Sequence, residues 1–242
     1  MKIEILYPEM AYLFGDNANV LYLEQSLPEA EFIKTAKGEA PKFISEEINL
    51  VYLGALTESN QEKAIKLLTP YKEDIKKAID KGTVFLFTGN ALEIMGDYIL
   101  DDDGRKISCL GIFEYYAKRD YYHRHNSACL AEFEDMKIMG FKTQFTMCYP
   151  KTDANGLFKV TRGIGMNEKT LAEGIRVNNF FGTYLVGPLL LLNPEFTKYL
   201  LKLMGANDPS LAFEKEAMDA YKQRYQDFLE KIPVKPEKYK KM

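Results

Sequence analysis

The residues best placed for chemistry lie in the stretch FLFTGNALEIMG, Phe85 to Gly96. The apolar run Val84 to Phe87 leads into Thr88, Gly89 and Asn90, after which Leu92, Met95 and Ile99 recur at helical spacing. This predicts a strand, a sharp turn and a helix ending near Leu100. In many α/β enzymes such an elbow carries a nucleophilic Ser or Cys at its tip. Here the tip carries neither. A second cluster, YYHRHNSAC, places His123, His125 and Cys129 close together, and these are the chain's two histidines and one of its three cysteines. A strand would put both histidines on one face, but a fourth zinc ligand is missing, so a solvated Tyr- and His-rich hairpin edge is the better reading and no metal is expected. A relocated Cys129–His125 pair would lie away from the elbow. Asp101-Asp102-Asp103-Gly104 lacks the spaced ligands and distal Glu of a calcium loop and reads as a polar turn. Gly163 and Gly165 do not follow the nucleotide fingerprint, and no cofactor is expected.

The elements that must position the elbow alternate over the first hundred residues. Lys2 to Tyr7 reads as a first strand, with Asp16 or Asn17 placed to cap a helix starting near Ala18. Glu31 to Thr35 and Ile48 to Ala55 read as further strands. A charged amphipathic helical region follows, interrupted at Pro70 and closed by Gly82. Strands separated by helices predict an α/β fold, with a central, mainly parallel sheet flanked by helices. From Lys106 to Pro150 the chain is rich in Tyr, Phe and short alternations, which predicts hairpins and hence an antiparallel extension. Two more strands are expected within FKVTRGIG and GIRVNNFFGTYL. Asn193 then caps a helix that has Pro194 at its first position and Glu195 in its first turn. Residues 1–242 are read as one domain, with a Lys- and Pro-rich tail over the last ~10 residues.

Composition narrows the partners. The chain has 242 residues, is 46% hydrophobic and carries a net charge of −3. No block of Lys and Arg is present, so nucleic acid is not an expected partner. No apolar run reaches the ~18 residues of a membrane span, and the N-terminus is strand-like rather than a signal sequence. The cysteines show no framework spacing and fit reduced thiols, so a cytoplasmic protein is expected.

Several stretches resemble one family. FFGTYLVGPLLLLNPEF is similar to the C-terminal signature of the cobyric acid synthase-like, class I glutamine amidotransferases, and within them to the glutaminase subunits of bacterial lipid II isoglutaminyl synthase. YPEMAYLFGDNANV, VYLGALTESNQEKAI, FLFTGNALEIMGDYI, IMGFKTQF and AEGIRVNNFFGTYL resemble further family segments in the same order. The resemblance spans roughly residues 1–205. It implies a flavodoxin-like sheet and a Cys–His pair that releases ammonia from glutamine.

The two reactive positions are substituted here. Aligned on Gly96, the family Cys falls on Gly89, its following glycines on Asn90 and Ala91, and its Gln on Glu93. A slip of one residue gives Thr88, which is not a thiol. The family His falls on Val186, and no histidine follows His125. The oxyanion loop keeps Gly54 but continues with Ala55 and Leu56, and a polar stretch has become Lys142, Thr143, Gln144. No catalytic residue is therefore expected at Gly89 or Val186. The candidate cleft comprises Gly54, Ala55, Thr88, Asn90, Ala91, Glu93, Gln144 and Tyr184, with Glu93 read as a surface, capping or ligand-contact residue and Glu173 as a turn residue. The reading that follows is a non-catalytic amidotransferase-like protein that binds a ligase-type subunit or a small molecule in the former glutamine cleft. The alternative is an active amidotransferase supplying ammonia to a ligase partner in cell-wall or cobalamin-type biosynthesis. A third reading is a new enzyme using Thr88, Asn90 or Glu93.

Overall fold

The computed structural model describes residues 1–232. Its larger sheet is built from β1 (Lys2–Leu6), β2 (Glu31–Thr35), β3 (Leu50–Leu53), β4 (Val84–Thr88), β8 (His125–Phe133), β9 (Met136–Gln144), β11 (Gly156–Arg162), β12 (Ala172–Val177) and β13 (Phe180–Thr183). The strand order is β2-β1-β3-β4-β13-β12-β11-β8-β9. The strands from β2 to β13 run parallel, and those from β13 to β9 pair antiparallel. A second sheet, ordered β10-β7-β5-β6, holds β5 (Tyr98–Leu100), β6 (Lys106–Ser108), β7 (Tyr115–Arg119) and β10 (Thr146–Pro150).

Helices cover both faces of the parallel half. α2 (Glu58–Leu68) and α3 (Lys72–Asp80) bury Ala64, Ile65, Ile75 and Ile79 on one side. α1 (Asn17–Ser26), α4 (Leu189–Leu192) and α5 (Pro194–Leu203) bury Val20, Leu23, Leu190, Phe196 and Leu200 on the other. A strand covered on both faces reads as a continuous apolar run, and Val84 to Phe87 are all 0% exposed. α6 (Glu214–Lys231) lies against β8 and β9 through Phe228, Leu130 and Met139, and Arg162 Nη1 donates to the Leu229 and Ile232 carbonyls at its end. No helix among the described residues is long and apolar enough to cross a membrane.

Several expectations change. The elbow is followed not by an α-helix to Leu100 but by a 3-10 segment, Gly89–Met95, after which Ile99 sits in β5. The segment stops because Gly96 is extended and so close to Tyr115 that a Cβ there would meet its ring at 2.6 Å. GIRVNNFFGTYL forms the hairpin β12–β13 rather than one strand, with Asn178 at φ 51° in its turn. The strand expected over Ile48 to Ala55 is shorter, Leu50–Leu53. Asp16 and Asn193 precede α1 and α5, but neither side chain caps its helix. Asn193 instead bridges to β9, accepting from Met139 N and donating to the Met139 carbonyl. The tail expected over the last residues lies outside the described ones.

Register then places the site. Thr183 pairs with Thr88, and Leu53 with Phe87, so β3, β4 and β13 end level with one another. The loops that follow them, beginning at Gly54, Gly89 and Tyr184, meet at the carboxyl edge of the sheet, where open α/β folds bind ligands.

Candidate functional site

Gly89 occupies the tip of the turn after β4 with φ +60°, a conformation in which glycine escapes the left-handed penalty of other residues. A Cβ built there would lie 2.6 Å from Ala55 Cβ, 3.2 Å from Ala55 Cα and 3.4 Å from Val186 Cγ1. The space for a side chain at the tip is therefore filled by the loop after β3 and by Val186. Val186 is held in place by its own N–H, which donates to the Phe141 carbonyl of β9 at 2.9 Å.

The loop amides are also taken. In elbow hydrolases an oxyanion is held by the N–H after the nucleophile and by one from a neighbouring loop. Here Leu56 N donates to Asn90 Oδ1 at 2.9 Å, while Asn90 Nδ2 donates to the Leu56 carbonyl at 3.0 Å. The Asn90 amide thus pairs with the loop as a strand neighbour would. Ala55 N donates to Asp16 Oδ2 at 3.0 Å. Asp16, fully buried, also accepts from Thr88 Oγ1 at 2.5 Å and from Asn19 Nδ2 at 3.1 Å. One carboxyl therefore ties α1, the loop after β3 and the end of β4 together. Gly54 is required by close approach, since a Cβ there would lie 2.9 Å from the Ala11 carbonyl.

Behind the elbow runs a buried polar chain. Glu93, 1% exposed, accepts from Tyr184 Oη at 2.8 Å and from Gln61 Nε2 at 2.8 Å. Gln61 Oε1 accepts from Arg119 Nη2 at 2.7 Å, and the same arginine meets Glu62 and Asp101. On the other side Glu173 accepts from Thr183 Oγ1 and Tyr184 N and pairs with Lys142 Nζ at 2.5 Å, both side chains being wholly buried. Glu93 is thus neither a surface nor a capping residue, and Glu173 is not a turn residue. Both were placed by packing that the chain's local pattern does not reveal.

The open part of the site is a cleft of about 140 Å³. Gly89, Asn90, Gln144 and Tyr184 line it, with Leu56 of the altered loop, together with Phe14, Glu58 and Arg124, which sequence reasoning did not single out. Thr88, Ala91 and Glu93 are fully buried behind it, and Ala55 packs against its elbow end. No Cys, Ser or His lines it. Burial pushes the Cys109 and Cys129 thiols up to about 12 and raises the Cys148 thiol well above its ordinary value, so none is a ready thiolate at neutral pH. His123 is exposed and pairs with Asp120, whereas His125 begins β8 and meets Ser127 Oγ at 2.8 Å. Among the described residues no three His, Cys, Asp or Glu side chains are grouped to hold a metal. A larger depression of about 660 Å³ lies at the opposite edge of the sheet, beside Asn49 and Thr83, away from the elbow.

Two buried carboxyls titrate near neutrality. Burial pushes Asp16 up to about 6 and Glu93 up to about 7, against the donors that favour their ionised forms. A pKa raised on folding gives stability that is complete below the unfolded value, near 4, and is lost as pH rises through the folded value. Denaturant unfolding is therefore expected to show stability falling between about pH 4 and 7, by on the order of 3 kcal/mol for Glu93. Glu93→Gln is expected to flatten the upper part of that slope. An unchanged slope in the variant would remove Glu93 as its source.

An α/β sheet with its functional loops at the elbow edge is the architecture of class I glutamine amidotransferases. The solved structures it is similar to include a glutamine amidotransferase at TM-score 0.53 and 16% identity, covering 84% of this chain and 99% of that one. Another is PurLQS from Thermotoga maritima, at TM-score 0.53 and 12% identity, covering 93% and 98%. The CobB/CobQ-like glutamine amidotransferase domain matches residues 2–193, and the chain belongs to that family. Two curated relatives are GatD subunits of lipid II isoglutaminyl synthase (glutamine-hydrolyzing). The one from Staphylococcus aureus (strain N315) is 27% identical over 211 residues, covering 86% of this chain and 85% of the relative. The one from Streptococcus pneumoniae (strain ATCC BAA-255 / R6) is 24% identical over 236 residues, covering 94% and 91%.

Proposed function

We propose that this protein is a non-catalytic glutamine amidotransferase-like subunit that acts in the cytoplasm by binding a ligase-type partner. The observation that carries this reading is the closed elbow. Position 89 has no side chain, its Cβ volume is filled to within 2.6 Å by Ala55, and the Leu56 amide is bonded to Asn90. A glutaminase needs a nucleophile, a proton carrier and free oxyanion donors at one point; here the first two positions are Gly89 and Val186, and the loop amides of Ala55 and Leu56 are already bonded. The partner side of the reading rests on the relatives, whose names describe subunits of a synthase. The alternative, ammonia supply to such a partner, draws on the same names but requires a thiol and an imidazole that the cleft lacks.

The test is co-expression and co-purification of this chain with a ligase-type subunit of a lipid II isoglutaminyl synthase, followed by amidation assays of the complex. The expected result is a stable complex that uses free ammonium and gains nothing from glutamine. Failure to form a complex would remove the partner reading, and glutamine-dependent amidation would restore the alternative.

A further inference from the structure

The second sheet turns one face into the protein and the other outward. Ile99, Ala117 and Cys148 lie in the core, and the residues alternating with them point away from it. Strand pairing sets the outward residues in two rows. One row reads Ser108, Tyr98, Tyr116, Tyr149, and the next Lys106, Leu100, Lys118, Met147. All are exposed or half-buried, and neither Leu100 nor Met147 joins a core cluster. The three tyrosine rings are stacked, with centroids 5.3 and 5.2 Å apart and planes 12° and 17° from parallel. Rings stacked along a row stand on edge, so the face presents their electropositive rims and their hydroxyls. Tyr149 Oη donates to Glu168, while the Tyr98 and Tyr116 hydroxyls make no hydrogen bond among the described residues. The Lys106 ammonium lies 4.5 Å from the Tyr98 ring centre. Neither Lys106 nor Lys118 forms an ion pair among the described residues, whereas the neighbouring cations do: Arg105 with Asp101 and Glu62, and Lys151 with Glu114.

We propose that this face docks an acidic helix of a protein partner, laid across the strands along the Lys106–Lys118 row. The proposal does not depend on whether the elbow is catalytic. Charge complementarity sets the sign, since two unpaired lysines flank Leu100 in a chain of net charge −3. Spacing selects the helix. Lys106 and Lys118 sit two strands apart, which is about 9.6 Å at the usual strand separation. Helix residues seven apart rise about 10.5 Å and share one face, with the residue three or four along lying between them. Carboxylates at i and i+7 then meet the two ammoniums, and an apolar residue at i+3 or i+4 covers Leu100. Same-face residues of an extended chain repeat at about 6.7 Å and miss that separation. The tyrosine row lies one same-face step along the strands and offers its rims and two hydroxyls to the flank of the helix. Rings already held by stacking lose little freedom on binding. Asp102 and Asp103, exposed in the turn between β5 and β6, lie beyond the lysine row and disfavour an acidic partner there. This fixes the helix along the row rather than over the turn.

Fluorescence anisotropy of labelled peptides, titrated with the whole chain at low salt, tests the proposal. The probe is an alanine- and glutamine-rich helix of about 15 residues, with two Glu residues seven apart and a Leu four after the first. One control carries Lys in place of both Glu residues. A second carries the two Glu residues five apart, on opposed sides of the helix. The probe is expected to bind with a Kd below about 1 mM, at least about tenfold more tightly than either control. Lys106→Glu and Lys118→Glu are each expected to weaken it at least about tenfold with circular dichroism unchanged, because both side chains are exposed. The Lys106→Glu, Lys118→Glu double variant is expected to prefer the Lys control. Lys222→Glu, a charge reversal on the exposed side of α6, is expected to change nothing. No binding of the probe by about 1 mM, equal binding of the second control, or equal weakening by Lys222→Glu would each overturn the proposal.

Discussion

Purified protein incubated with glutamine is expected to release no ammonia above the uncatalysed background. The size of the expected loss follows from what is missing. Removing members of a nucleophile–base unit typically costs on the order of 10⁴-fold to 10⁶-fold, and those losses are measured with the oxyanion site left intact. Here the loop half of that site is also occupied, because the Leu56 amide donates to Asn90 and the Ala55 amide to Asp16. Loss of those loop donors is expected to lower further the residual rate that triad mutants retain. The measurement is coupled detection of ammonia at high enzyme concentration, repeated on a Cys109→Ser, Cys129→Ser, Cys148→Ser variant. Turnover that disappears in the triple serine variant would assign the activity to a thiol away from the elbow. Turnover that persists would place an unrecognised nucleophile in the cleft, and either result would end the non-catalytic reading.

A side chain returned to position 89 is expected to destabilise the fold, and a smaller residue at position 55 to repair part of the damage. Gly89→Cys forces a left-handed backbone on a residue with a Cβ, at about 1–2 kcal/mol, and drives that Cβ into Ala55, at about 1–3 kcal/mol more. Together the expected loss is about 2–5 kcal/mol, read by denaturant unfolding. Adding Ala55→Gly removes the contact and should recover the packing part, so the two changes couple by about 1–3 kcal/mol in a double-mutant cycle. With Val186→His added, the thiol gains an imidazole neighbour. A fall in its pKa from about 8.5 to about 7 raises the thiolate fraction roughly fifteenfold at pH 7, and the lower nucleophilicity takes back about fivefold. Iodoacetamide should then label position 89 about threefold faster than in the Ala55→Gly, Gly89→Cys pair. Additive stabilities would show that residues 55 and 89 do not touch, and equal labelling rates that 89 and 186 do not face each other.

How much of this was legible beforehand depended on how local the signal was. The parallel half was readable because β1 alternates and β3 and β4 are short apolar runs bounded by turn residues, and β2 matches its expected bounds, Glu31–Thr35. The glycine at the elbow was readable because its neighbours describe the turn. The buried charges were not, because Lys142 and Glu173 look like solvent-facing residues when each is taken alone. A signal did exist. Along β9 the buried positions Ile138, Gly140, Lys142 and Gln144 alternate strictly with less buried ones after Met139, and a period of two places Lys142 inward. The pairing that makes its burial tolerable lies 31 positions away in the chain, at Glu173, and only the sheet brings the two together. Asp16 misled in the opposite way: its place before a helix suggested a cap, but the buried donors of Thr88 and Ala55 compete for the same oxygens and win. α6 carries few apolar residues and so gave little periodicity to find.

The contact between the Ala55 methyl and the vacant side of Gly89 also carries a history. Consider a lineage that starts from an elbow with a side chain at 89 and a glycine at 55. A methyl added first at 55 would lie 2.6 Å from the existing Cβ, closer than folded proteins tolerate. A side chain lost first at 89 leaves a small void that the methyl then fills. Selection for a folded protein thus permits one sequence of events and resists the other. Once the methyl is in place, the first backward step at 89 is the costly one, and the lineage does not drift back through it one substitution at a time. Chains of this group that carry glycine at both positions would be the intermediates of that descent, and chains with a bulky residue at 89 and alanine at 55 should be rare.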